Sequence, residues 1–326
     1  MRRLVGFAVG LLFADSLPTA DRLYQESRFK EAAEIYVTLL KQAPGNPDLS
    51  MRLGACQYQL GQFAEAEKSF RSSLAANPNI PPALTGLGTT LLAMGRAKEA
   101  IPPLEKATRL VPADRMARRA LGHAYEEENR IFDAEPLLRQ LVKEDPADAE
   151  SWYYLGLLFF NHDYAIPAIE AFEKTLSREP GNRRAWVYYA GALTQAGRLT
   201  EAERALERLK QDPALAQDPE LLLGWAQLLH QTGRLTQALE SIERALERNG
   251  RSAKLLYWRA RILADLARLD DAVAAAGQAL AVSPESPGVR YLLVRLYRAS
   301  GQPDRAAHHA EWLRQHSEKK NRGTAR

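Results

Sequence analysis

Apolar residues in this chain recur every three to four positions over short stretches, and each stretch stops at a small or turn-forming residue. That spacing gathers them on one face of an α-helix, whereas a strand would alternate them. The segment SWYYLGLLFF from Ser151 and the segment AIEAFEKTL from Ala168 to Leu176 form one such pair of helices. Between the members of each pair lies a corner residue: Gly61, Gly95, Asn129, Asp163, Gly197, Gly233 or Gly301. These residue types tolerate the left-handed conformation that ends a helix. Prolines follow the second helix at Pro44, Pro78, Pro112, Pro146, Pro180 and Pro284, where no backbone donor is needed. Short helices in pairs, with no strand between them, are therefore predicted along the chain.

The pattern keeps a fixed step. Ala32, Ala66, Ala100, Ala134, Ala168 and Ala202 lie 34 residues apart, and after one step of 36 the series resumes at Ala238, Ala272 and Ala306. A second ladder of small residues runs through Ala20, Gly54, Gly88, Gly122, Gly156, Ala190, Ala226, Ala260 and Val294. Bulk recurs beside them at Tyr36, Phe70, Leu104, Leu138, Phe172, Leu206 and Ile242. A period in this range means a solenoid of repeats, none of which can bury its own apolar face alone. The small residues mark close helix crossings and the bulky column fills the space alongside. Pro102, Pro103, Pro136 and Pro167 are expected in the first turn of second helices, where amides are unpaired. The two extra residues fall in QDPALAQDPE, around Pro213 and Pro219.

This pattern resembles the tetratricopeptide repeat family, most fully at Trp152, Leu155, Gly156, Phe159, Ala168, Phe172 and Pro180. The resemblance implies an all-α fold, a TPR-type alpha-solenoid of about nine helix-turn-helix repeats in a right-handed superhelix, over residues 17–318. Ala276 and Ala310 replace the usual aromatic, so the last two repeats are expected to pack less tightly. In the family, first helices line the concave face. The candidate groove is then built from Tyr58, from Arg119 and His123, and from Tyr153, Tyr154 and Phe160. It continues with Arg184 and Tyr188, with Tyr257, Trp258 and Arg261, and with Tyr291 and Arg295. Thr85, Thr89, Gln227, His230 and Arg298 face the same way. Aromatics and arginines are the residue types that anchor partners. About half of the set is expected to be accessible, because Tyr buries its ring and keeps its hydroxyl wet. The Lys and Asn set with which the family's clamp holds a C-terminal carboxylate is missing, its places held by residues such as Met51, Ala55 and Gly86. The implied partner is a protein or peptide segment with apolar and acidic side chains.

Composition narrows the function. The net charge of +4 is spread among interleaved acidic residues, so no nucleic-acid footprint emerges. The single cysteine, Cys56, excludes an intramolecular disulfide and reads as a small core residue. His308, His309 and His316 share the last helix, yet no two are four apart as a helical zinc motif requires. No phosphate loop, nucleophile elbow or convergent carboxylate pair is present, so neither a catalytic residue nor a cofactor is expected. At the start, Arg2 and Arg3, the apolar run Leu4 to Phe13 and the small residues Ala14 and Ser16 match a secretory signal peptide over residues 1–16. Export to the periplasm or cell envelope follows. The alternative is an extra apolar helix capping the solenoid of a cytoplasmic protein. The run is too short to span a bilayer, so membrane contact is expected only through this segment if it stays uncleaved. Residues 319–326 read as a basic disordered tail. Trp312 and Leu313 are expected to pack inward, the alternative being an apolar edge that docks a partner or second copy. Two functions remain: a non-catalytic scaffold, or a substrate-selecting accessory array whose catalytic domain, for example a glycosyltransferase, is on another chain.

Overall fold

The computed structural model describes residues 16–210 and 217–323. The arginines and apolar run at the start, the extra residues around Pro213 and the last three residues lie outside that range. Among the described residues the chain is helical, with no strand. It divides into two compact units, one ending at Leu158 and one starting at Phe159.

In the first unit the first helices are α1 (16–25), α3 (Pro47–Gln59), α5 (Pro81–Ala93), α7 (Arg115–Glu127) and α9 (Ala149–Asn161), within which the division falls. The second helices are α2 (Phe29–Gln42), α4 (Phe63–Ala76), α6 (Ala97–Leu110) and α8 (Ile131–Glu144). In the second unit the first helices are α11 (Arg183–Gln195), α13 (Pro219–Gln231), α15 (Ala253–Asp265) and α17 (Pro287–Ala299). The second helices there are α10 (Ala165–Arg178), α12 (Leu199–Lys210), α14 (Leu235–Arg248), α16 (Leu269–Val282) and α18 (Pro303–Gly323). α18 thus carries the helix through residues 319–323, part of the expected tail.

The corners explain why each pair turns where it does. All seven corner residues read from the sequence have positive φ, from 57° at Asn129 to 75° at Gly233. Two more corners follow from the period alone: Ser27 and Ala267, each at φ 60°. Each corner closes with an amide reaching back five residues, as in Gln62 N–H to the Gln57 carbonyl (2.9 Å) and Arg268 N–H to the Leu263 carbonyl (2.9 Å). Most first helices are started by side-chain caps, among them Asn46, Asp114, Asn182, Asp218, Ser252 and Ser286, whereas α5 starts on Pro81 without one. Several second helices start instead with an arginine that forks onto a carboxylate three residues on, as in Arg96–Glu99 and Arg198–Glu201.

The ladders interlock within each repeat. A Cβ on Gly54 would meet the Phe70 ring at 3.0 Å, one on Gly88 would meet Leu104 Cγ at 2.4 Å, and one on Gly122 would meet Leu138 Cδ2 at 2.8 Å. The bulky column, Tyr36 to Ile242, is buried throughout. In the eighth repeat Ala260 and Ala276 are both fully buried, so the missing aromatic leaves no exposed gap. The tryptophans tie two ladders together: Trp152 Nε1–H donates to the Pro146 carbonyl (3.0 Å) and Trp186 Nε1–H to that of Pro180 (2.9 Å). Arg290 holds the same position in the last repeat and donates to the Pro284 carbonyl at 2.8 Å. Its guanidinium lies 4.0 Å from the Trp312 ring centre, and Trp312 stacks on His316, so this tryptophan packs inward.

The internal prolines correct the sequence reading. α6 begins at Ala97 and α8 at Ile131, which puts Pro102, Pro103 and Pro136 inside their helices and beyond the first turn. Only Pro167 sits in a first turn. Pro102 and Pro136 are exposed, as are the residues four before them, Lys98 and Phe132, so the carbonyls they free are on the wet side.

Candidate functional site

In the first unit the first helices α1, α3, α5 and α7 line a hollow of about 570 Å³. Small side chains make it. Ala55 and Gly86 leave room above Phe70, whose ring tip comes to 2.4 Å from where a Gly86 Cβ would be. Tyr24, Met51 and Met116 add apolar wall, and Thr85 and Thr89 add hydroxyls. Of the aromatic and charged candidates for the groove, Tyr58 lines it, beside the expected Thr85 and Thr89. Its ring leans on Phe63 (5.6 Å between centres), and burial, then the charge of Glu150, pushes its phenol pKa up. Asp21 at one end accepts from the Tyr36 hydroxyl at 2.5 Å and from Arg52. Sequence reasoning missed Asp21, Arg52 and Asp114. It used Ala55 and Gly86 only to exclude a carboxylate clamp, when small residues at groove positions are the signal for a hollow.

Further along the same unit, α7 and α9 bring four expected residues together. His123 lies 4.8 Å from Tyr154, and Tyr154 meets Tyr153 edge-on at 5.5 Å. His123 Nε2 is 3.3 Å from Glu127, whose pKa that hydrogen bond lowers. Arg119 differs from expectation as an anchor for acidic partners. Its guanidinium is already held by Asp148 (3.0 Å) and Glu150 (2.7 Å), so a partner's carboxylate would have to displace two internal ones.

In the second unit, Phe160 is corrected from groove to core. It is 8% exposed, and its ring occupies the space that a Gly191 Cβ would need, 2.9 Å away. Tyr188 is half-buried between Phe160 and Phe172, with Lys254 Nζ 5.6 Å from its ring centre. Arg184 is exposed on α11. The main cluster forms on α15: Tyr257 and Trp258 meet edge-on at 6.3 Å, and the Arg261 guanidinium lies 4.3 Å from the Trp258 ring centre. His230 of α13 stands edge-on to Trp258 and bonds Asp265 at 2.6 Å. On α17, Tyr291 is 61% exposed, and Arg295 and Arg298 are exposed too. Among the described residues Arg184, Arg261, Arg295 and Arg298 have no carboxylate within ion-pair distance. This face can therefore offer stacked aromatics and unspent guanidinium groups, the chemistry of carboxylate capture. Among the described residues no group of three or more His, Cys, Asp or Glu is gathered as a metal site.

Comparison with known proteins places the fold. Two tetratricopeptide repeat models match, one over residues 23–89, 91–157 and 168–217 and one over 223–290. No curated protein matches the chain. A tetratricopeptide repeat protein of Parabacteroides merdae aligns at 22% identity, covering 77% of this chain and 98% of its own, with a TM-score of 0.62. IFIT1 with m7Gppp-AAAA aligns at 17% identity over 82% of this chain and 69% of its own, with a TM-score of 0.59. PilW, a type IV pilus biogenesis factor, aligns at 17% identity over 64% of this chain and 96% of its own, with a TM-score of 0.56. At these identities the likeness is one of fold, and such different proteins share it.

Proposed function

The chain belongs to the tetratricopeptide repeat family, and from that membership we propose that it is a non-catalytic scaffold that captures a protein or peptide segment. The observation that carries this reading is the cluster of Tyr257, Trp258 and Arg261, continued by Tyr291, Arg295 and Arg298. A guanidinium held over an indole and without a carboxylate partner is ready to grip one. The adjoining rings offer apolar contact at low entropic cost, since aromatic side chains have few rotatable bonds. The expected partner therefore has acidic and apolar side chains. The runner-up is an accessory array that selects substrates for an enzyme on another chain, and it uses the same surface.

The test is binding of a fluorescent peptide of alternating Glu and Leu to the full chain. Replacing Tyr257, Trp258 and Arg261 together by Ala should abolish binding and leave helical content intact. Unchanged affinity at the same salt would move the binding surface elsewhere.

Export belongs to the same proposal and rests on Arg2, Arg3 and the apolar run. Leu17 packs against the core of the first repeats, with Leu23 and Tyr36, so cleavage after Ser16 leaves those contacts in place. Expressed with its native start in a bacterium, the mature protein should begin near Leu17. N-terminal sequencing that read an intact start on a cytoplasmic protein would overturn export. Among the described residues no helix is long and apolar enough to cross a membrane.

A further inference from the structure

The hollow in the first unit has the opposite chemistry from the arginine-rich face of the second. Asp21 and Asp114 both line it, against a single cation, Arg52. Arg52 is engaged by Asp21, whose same oxygen takes the Tyr36 hydroxyl. Asp114 Oδ1 caps α7 by accepting from the Ala117 amide at 3.1 Å. Among the described residues its Oδ2 is met only by the Thr85 hydroxyl, at a long 3.4 Å. Among the described residues no cation pairs with Asp114. The rest of the lining is largely apolar: Met51, Ala55, the Phe70 ring and the rings of Tyr24 and Tyr58.

Three kinds of occupant can be compared. A wholly apolar side chain would strip water from the Asp114 carboxylate and return no hydrogen bond, an uncompensated desolvation. A carboxylate would meet Asp114 itself, and also the field of Glu150, which already reaches the Tyr58 phenol. A cation on a long aliphatic stem answers both problems. The stem covers the apolar floor and aromatic rings, and the charged head reaches Asp114 Oδ2. A hollow of about 570 Å³ is large enough for such a side chain with its neighbouring backbone.

We infer that the hollow lined by α1, α3, α5 and α7 binds a lysine or arginine side chain of an extended peptide segment, with Asp114 as its counter-charge. This rests on the scaffold reading and adds to it a site of opposite charge preference. The probe is a positional library of short acetylated and amidated peptides, screened against the full chain and three variants. Asp114→Asn removes the charge and keeps the cap, because Asn caps a helix as well as Asp does. Thr89→Trp fills the hollow from a half-buried position whose hydroxyl bonds only its own helix, at the Gly86 carbonyl. The third variant replaces Tyr257, Trp258 and Arg261 by Ala. The wild-type chain should prefer Lys or Arg over Glu at one position of the library. Asp114→Asn should reduce that preference about tenfold, the size of one charge-assisted bond. Thr89→Trp should abolish it, and the triple variant should keep it. A basic preference that survives both Asp114→Asn and Thr89→Trp, or no basic preference at all, overturns the inference. Loss of acidic peptides from the triple variant with basic selection intact separates the two sites. Acidic peptides retained by the triple variant sink the arginine-face reading alone.

Discussion

Gly88 offers the sharpest test of how these helices cross. It lies in α5, and a methyl group built on it would sit 2.4 Å from Leu104 Cγ and 2.6 Å from its Cδ2, far inside the roughly 3.5–4.0 Å of an ordinary carbon contact. Leu104 is fully buried, and the crowded atom is its branch point, so the whole side chain or the helix must move. Overpacking of this kind costs roughly 1–3 kcal/mol. Alanine returns about 0.5–1 kcal/mol by its better helix propensity. Gly88→Ala should therefore destabilise by about 1–2 kcal/mol. The same change at Gly122 meets a terminal methyl at 2.8 Å and should cost less, and at Gly54 it meets a ring edge at 3.0 Å and should be near neutral. Gly277 in α16 has nothing within 4 Å, so Gly277→Ala should stabilise by about 0.5–1 kcal/mol. Leu104→Ala alone should cost about 2–5 kcal/mol, and the double variant with Gly88→Ala less than the sum, because the new methyl fills part of the vacated space. A solenoid opens repeat by repeat, so the readout is native-state amide exchange in α5 and α6 rather than a single melting point. If Gly88→Ala raised protection as Gly277→Ala does, the two helices would not be in the contact described.

The corner at Ala267 holds a non-glycine residue at φ 60°, and Ala267→Gly should stabilise α15 and α16 by about 0.5–1 kcal/mol in urea unfolding; a loss of stability would mean the corner is not strained. The His309 side chain is held below the usual histidine pKa by burial, then by the charges of Arg290 and His308, with Glu285 and His316 near the same end and Tyr297 stacked on the ring. The unfolded chain therefore binds a proton more readily, so the neutral ring's contribution is present above about pH 6.5 and is lost as pH falls below it. Exchange protection of α18 should drop on going from pH 7 to pH 5, and the His309→Gln variant should show a shallower drop; an equal drop in both would assign the dependence to other groups.

Most of the fold was legible in the sequence because helix packing in a solenoid repeats locally. The 34-residue step placed the small ladder, the bulky column and the corners, and it even locates Ser27 and Ala267, whose residue types gave no corner signal. What the sequence misplaced, Pro102, Pro103 and Pro136, depended on where a helix starts, and that is set by the backbone closing at the corner rather than by the proline. Periodicity also assigns each side chain to a face of its helix, and Tyr58 lines the hollow of the first helices. It did not tell whom that side chain meets. Arg119 and Asp148 are 29 residues apart and Arg52 and Asp21 are 31 apart, so each pair joins neighbouring repeats. Only the tertiary structure decided that Arg119 is spent on internal carboxylates and that Arg261 is not. It also decided that Phe160 closes over Gly191 while Ala55 and Gly86 open a hollow. The physical reason is that a helical period fixes direction, whereas charge pairing and free volume depend on the distance between groups that the period leaves unspecified.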